Sequence, residues 1–485
     1  MVAIIITLLY WFWVKGGGGF NLGFSALGTI FFIWLLVKKG EIRKDKYLIA
    51  LWLMGVAIAW FQTWRNFEGI KAISVVTLVT LGGYLSALGK QPKAIIDLQR
   101  IVGSALKTIP DFFRELFGLG TKFLTIKVFS KTKGERWNKI LAGAILAVPM
   151  VLVFGGLFYS ADPIFAKLIN SIRLPQINIS EKLIGDVVST VMVLGMSLTL
   201  ANFRLAKRSE NGKRIKGAEE ITIAAGVVAG LFLVFSAIQI RYFGISSDEL
   251  REMGIMYSEY TRKGYAEMLL AAGLAIGLVL WLDKMKKGAA KKIGLALVAE
   301  TLLIVIAATN RNYLYQAVHG FTRVRLMGFL MSGWMGAALL LVGWKMVKRK
   351  SDNRFFRAII GVTVATVLLA NIANIDRMVV KNRLPNLGYG IDYIYVSELS
   401  YDAHEIWPWL LDETDEKLRG APERRWVYYG LRAKADRLKG ERERNFANWA
   451  GWNGTAVEAE KTMEKLRERL DEEAKEIVIS KESET

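Results

Sequence analysis

Long apolar runs recur along this chain, separated by short segments rich in Lys, Arg and turn residues. They fall at 1–14, 20–37, 47–63, 72–89, 140–160, 184–203, 220–240, 265–282, 293–309, 326–344 and 357–374, each near the ~20 residues a helix needs to cross hydrocarbon. Runs such as 140–159 and 221–240 lack the strict polar and apolar alternation of a membrane strand, so a barrel is excluded. The pattern predicts an all-α fold: a polytopic helical membrane bundle of about eleven transmembrane helices. The first run is short and precedes Lys15 and four glycines, with no basic leader or small-residue cleavage site. It reads as an uncleaved helix.

Between the runs, the charge alternates. Lys38, Lys39, Arg43 and Lys44 crowd one loop, and Arg204, Lys207, Arg208, Lys213 and Arg214 another. Lys284, Lys286, Lys287 and Lys291 fill a third, and Lys345, Lys348, Arg349 and Lys350 a fourth, while the intervening loops are sparse in cations. By the positive-inside rule the basic loops are cytoplasmic, which puts the N-terminus inside and the segment after the last run outside. The net charge of +21 is thus expected to act as a topology signal and an attraction to anionic inner-leaflet headgroups. Nucleic acid is not an expected partner, because no basic and aromatic cluster sits on a soluble domain. With 15 Trp and 16 Tyr, the chain is well supplied with interfacial anchors.

The expected organisation is a membrane bundle over 1–375 and a small extracytoplasmic helical domain over 376–485. Within the bundle, 90–139 mixes Phe112, Phe113, Leu116 and Phe117 with Lys and Arg, which predicts an amphipathic cytoplasmic segment on the headgroup boundary or packed on the bundle. The tail has an aromatic, turn-rich start and a helical pattern from Val457 to Ala474.

The sparse loops hold an ordered set of strings. Ala161-Asp162-Pro163-Ile164-Phe165 comes first, then Gln239-Ile240-Arg241-Tyr242-Phe243, then Tyr257-Ser258-Glu259-Tyr260-Thr261-Arg262. Asn310-Arg311-Asn312-Tyr313-Leu314-Tyr315 is followed by Gly320-Phe321-Thr322-Arg323, Asn374-Ile375-Asp376-Arg377 and Leu399-Ser400-Tyr401-Asp402. In this order they resemble the prokaryotic membrane family known as domain of unknown function 4173 and its relative 4153. The resemblance runs from the second apolar run into the tail, where Trp449 and Trp452 look like that family's Trp-rich stretch. It implies a helical membrane bundle, mostly bacterial, with no established reaction. His319-Gly320 stands where the family pattern has Tyr-Gly, so a role for that Tyr does not carry over.

Candidate chemistry gathers on the same outer segments: Asp162, Arg241, Glu259, Arg262, Arg311, Tyr315, His319, Arg323 and Asp402. In a continuous helix, Arg311, Tyr315, His319 and Arg323 would recur every four residues and line one face, where arginine forks suit phosphate or carboxylate. The plain alternative pairs Arg311 and Arg323 with Asp162, Glu259 or Asp402 as clamps. His319 is a candidate general base or pH sensor, or simply a hydrogen-bonding residue. Glu300, halfway along its run, is the notable intramembrane group, because a carboxylate there is costly unless paired or wetted.

Zero Cys excludes disulfides and thiolate chemistry, and two His leave no multi-histidine metal site. No Walker loop, dinucleotide fingerprint, zinc-protease motif or nucleophile elbow is present, so no cofactor is expected. The leading reading is a non-enzymatic protein of the cytoplasmic membrane whose outer loops and tail form a sensing, scaffolding or envelope-associated surface. Its expected partners are membrane lipids, and a protein or lipid-linked ligand at the outer face. One alternative is a transporter or channel-like protein with Glu300 in a polar path. Another is an enzyme on a lipid or lipid-linked glycan, with Asp162, Glu259 or Asp402 as acid or base and Arg311 or Arg323 holding an anion.

Overall fold

The computed structural model describes residues 46–87, 135–171, 218–257, 260, 264–285, 288–348, 351–386, 390–419, 421–441 and 453–482. The runs expected at 1–14, 20–37 and 184–203, and nearly all of the segment 90–139, lie outside them. Regular structure among the described residues is helical, apart from an isolated antiparallel bridge between Asn386 and Ile391.

Among the described residues six helices are long and apolar enough to cross a membrane: Trp137–Ala161, Ala218–Arg241, Tyr265–Lys284, Gly288–His319, Arg323–Lys348 and Arg354–Ala373. They correspond to six of the eleven expected runs. Two further runs do form helices, α1 (Lys46–Phe61) and α2 (Glu68–Ala87), but neither is among the six. The six spans are apolar all round rather than on one stripe. Large side chains such as Leu152, Leu233 and Leu340 stay more than half exposed, as lipid-facing positions require.

The described chain divides into two compact units. One lies within Gln99–Tyr315 and Met331–Val362. It contains α3 (Glu135–Ala161), α4 (Pro163–Ser171), α5 (Ala218–Arg241), α6 (Ser247–Glu252), α7 (Tyr265–Lys284) and most of α8 (Gly288–His319). The greater part of α9 (Arg323–Lys348) and the start of α10 (Asp352–Ala373) belong to it as well. Its core is built on aromatic rings from α3, α4 and α5. Phe158 stacks on Phe235 at 3.9 Å, Phe165 and Phe232 meet this pair edge-on, and Phe154 meets Phe232 edge-on in turn. Without a hydrophobic driving force between helices in lipid, such packing must come from fit. Gly143 shows the fit: a Cβ there would lie 2.9 Å from the Glu220 carbonyl and 2.7 Å from Ile223.

The other unit falls within Met1–Leu98, Gln316–Leu330 and Thr363–Thr485. After α10 come α11 (Ile375–Lys381), α12 (Tyr393–Glu398), a 3₁₀ turn at Tyr401–Ile406, α13 (Trp407–Lys417), α14 (Pro422–Glu441) and α15 (Gly454–Glu482). The last three close around fully buried Trp407, with Leu410 and Leu411 of α13, Val427 and Leu431 of α14, and Ala459 and Met463 of α15. A second core joins Ile70, Leu326, Ala370, Val379, Leu399 and Ala403.

Candidate functional site

In the first unit the chemistry centres on Asp162, between α3 and α4. Its Oδ1 accepts the Ile164 and Phe165 amides at 2.7 and 2.9 Å, so Asp162 caps α4, with Pro163 at the first helical position. Asp and Pro suit those places because the first amides of a helix lack carbonyl partners and proline has no amide to lose. The other oxygen, Oδ2, accepts Gln239 Nε2 of α5 at 2.6 Å and a short bond from Arg311 Nη2 of α8. Arg311 also donates to the Ala161 carbonyl at 3.0 Å and to Gln239 Oε1 at 2.9 Å, and its guanidinium lies 4.2 Å from the Tyr260 ring centroid. Asp162 and Arg311 are each 1% exposed. Arg311 Nε is buried with no hydrogen-bond partner among the described residues. Burial pushes the Tyr260 phenol up from its ordinary pKa, against the pull of the Arg311 charge.

This arrangement ties α3, α4, α5 and α8 together and is closed to water. Gly264 shows how tightly: it sits at φ +90°, and a Cβ there would overlap the Ala161 carbonyl that Arg311 binds. Glu300 belongs to the same unit and the same helix as Arg311. It is buried, Ser236 Oγ donates to its backbone carbonyl at 3.2 Å, and its Oε2 has no partner among the described residues. Arg241, by contrast, is exposed at the end of α5, with its guanidinium 5.4 Å from the Tyr242 ring centroid.

The second unit holds Arg323 and Asp402. Arg323 forks onto Asp376 with Nε to Oδ1 and Nη2 to Oδ2, both at 2.6 Å, and its guanidinium lies 4.7 Å from the Phe67 ring centroid. Asp376 Oδ2 also accepts the Ser400 amide at 2.8 Å. Asp402 uses Oδ2 to accept the Asn66 and Phe67 amides, at 2.9 and 3.1 Å, just ahead of α2. Its Oδ1 is buried without a partner among the described residues. Burial raises the Asp402 pKa, opposed by the Asn66 amide and the Arg65 charge.

The expected four-residue stripe is broken. Arg311, Tyr315 and His319 share α8, but that helix ends at His319, Gly320 turns at φ +74°, and Arg323 opens α9. A Cβ at Gly320 would overlap the Leu384 carbonyl, so this turn needs glycine. His319 is half-buried, with Nδ1 3.3 Å from the Asn386 carbonyl, and its own carbonyl accepts the Asn386 amide at 2.9 Å. Tyr315 is half-buried on the same helix. Glu259 and Arg262 lie outside the described residues.

Arg311 therefore pairs with Asp162, as the clamp alternative has it, whereas Arg323 takes Asp376, a residue that alternative did not name. Gln239, Tyr260 and Asp376 stood in the ordered strings but were not among the candidate site residues. Gln239 was the most findable, as a long amide at the end of an apolar run. Among the described residues no group of three acidic or His side chains could hold a metal.

A family profile described as Domain of unknown function (DUF4153) covers residues 48–406. No curated protein and no solved structure matches the chain.

Proposed function

Since the chain belongs to the family described as Domain of unknown function (DUF4153), we propose its role from its own geometry. It is a multi-pass protein of the cytoplasmic membrane, without catalysis, whose outer loops and helical tail form a recognition or assembly surface. One observation carries this reading: the carboxylates best suited to acid–base work are engaged in holding the fold. Asp162 is occupied by two helix-start amides, Gln239 and Arg311, and Asp402 by two amides before α2. A general acid or base must reach substrate, and Asp162 is sealed. An enzyme acting on a lipid or lipid-linked glycan through these acids is disfavoured accordingly.

The surface reading is tested by a photo-crosslinking residue at Lys461, Lys465 or Glu468, all exposed on α15. In intact cells, illumination is expected to yield one discrete adduct shared by these positions. A ladder no different from that of Lys292, exposed on α8, would overturn the reading.

A second reading rests on Glu300, whose buried Oε2 has no partner among the described residues. Within a span, such a carboxylate marks a proton or ion path. Proton flux into reconstituted vesicles that is lost in Glu300→Gln would establish it, and flux equal to that of empty vesicles would remove it.

A further inference from the structure

Helix α14 has two faces. Val427, Tyr428, Leu431 and Leu438 enter the core around Trp407, while the opposite face carries Trp426, 64% exposed, and Tyr429, 49% exposed. Pro422 and Ala433 continue that face at helical spacing, and both are exposed. Arg425 and Arg437 flank it, with Lys439 beyond, against Glu423 and Asp436. A Trp and a Tyr side by side on a surface are costly to leave in water. Their combination of apolar ring, polar tip and neighbouring arginine matches the boundary between headgroups and acyl chains.

The compact unit that holds α14 also holds the apolar helix α1, and α15 is tied to the end of α1. The Gly454 amide donates to the Thr63 carbonyl at 2.9 Å, Thr455 Oγ1 to the Trp64 carbonyl, and Asn453 Nδ2 to the Arg65 carbonyl at 3.2 Å. A Cβ on Gly454 would strike the Trp64 ring, so the start of α15 is seated directly on that segment. Through their shared core, α15 then carries α14.

From these two observations we infer that α14 docks on the bilayer, its Trp426 and Tyr429 rings at the headgroup boundary and Arg425 and Arg437 against anionic phosphates. The inference rests on the membrane reading above and is independent of which leaflet is involved or whether the tail recognises anything else. Docking gives the tail a membrane anchor of its own.

The chain has no Cys, so a single introduced cysteine carries a spin label at one known place. Labels at Trp426→Cys and Tyr429→Cys, in the full chain reconstituted into phosphatidylglycerol–phosphatidylethanolamine vesicles, report collisions with oxygen, which partitions into lipid, and with a water-soluble nickel chelate. Both positions are expected to favour oxygen severalfold over the exposed control Lys461→Cys. The added change Arg425→Glu with Arg437→Glu is expected to erase that preference. Nickel accessibility at 426 and 429 equal to the control overturns the inference, as does shielding from both agents, which denotes burial against protein rather than lipid. Dipolar broadening that grows with protein density overturns it in favour of a second copy. None of these outcomes bears on the crosslinking test, so the two readings fail separately.

Discussion

Loss of the Arg311 guanidinium would strand Asp162 and Gln239 in a site closed to water. Removing one partner of a buried ion pair typically costs about 3–5 kcal/mol, so Arg311→Met is expected to lower the melting temperature in detergent steeply. The double variant Asp162→Asn/Arg311→Met should recover much of that loss, since Asn also caps a helix and no lone charge remains. Equal melting of the single and double variants would refute the clamp. Lys434 of α14 behaves differently. Half-buried, it donates to the Ser397 carbonyl with its ammonium 5.9 Å from the Trp407 ring centroid, and burial, seconded by the Arg323 charge, lowers its pKa to about 8. Unfolded, the group titrates near 10.5, so between those values the unfolded chain binds more protons than the folded one. Stability from this group is therefore expected to rise with pH from about 8 to 10.5, and Lys434→Met should flatten the slope in thermal melts. The sequence offered the pairing of Asp162 with Arg311 only as one of several clamps, because 149 residues separate the two.

Among the elements, α7 begins where the chain is most constrained. Gly264 holds a left-handed backbone against the Ala161 carbonyl, so Gly264→Ala meets both strain and overlap. That variant is expected to lose at least as much thermal stability as Arg311→Met, while Gly273→Ala, with open space around it on the same helix, should melt as wild type or slightly higher. Comparable melting of the two glycine variants would show that the close approach is not limiting. Helix existence in the described spans was legible because a continuous apolar run of span length has few alternatives. Helix ends were not. The run at 293–309 became α8, Gly288–His319, because its extra turns are held by Arg311 and by the Gly320 turn, and neither adds hydropathy.

For the whole molecule, the alternating charge makes a definite expectation: tail outside, loop between α7 and α8 inside. Single cysteines at Glu458 and Lys292, both exposed, should react with a membrane-impermeant maleimide in intact cells at the first position only. The opposite pattern would invert the topology. By itself the sequence determined that this is an all-helical, multi-pass chain, and its ordered polar strings pointed to the family, because apolar length and local charge are properties of contiguous residues. Only the tertiary structure decided what those polar residues do. It placed Asp162 against Arg311, gave Arg323 to Asp376, and gathered 363–375 and the tail into one compact unit with the described residues 46–87. Each of these depends on contacts between residues far apart in the chain, whose geometry no local pattern encodes.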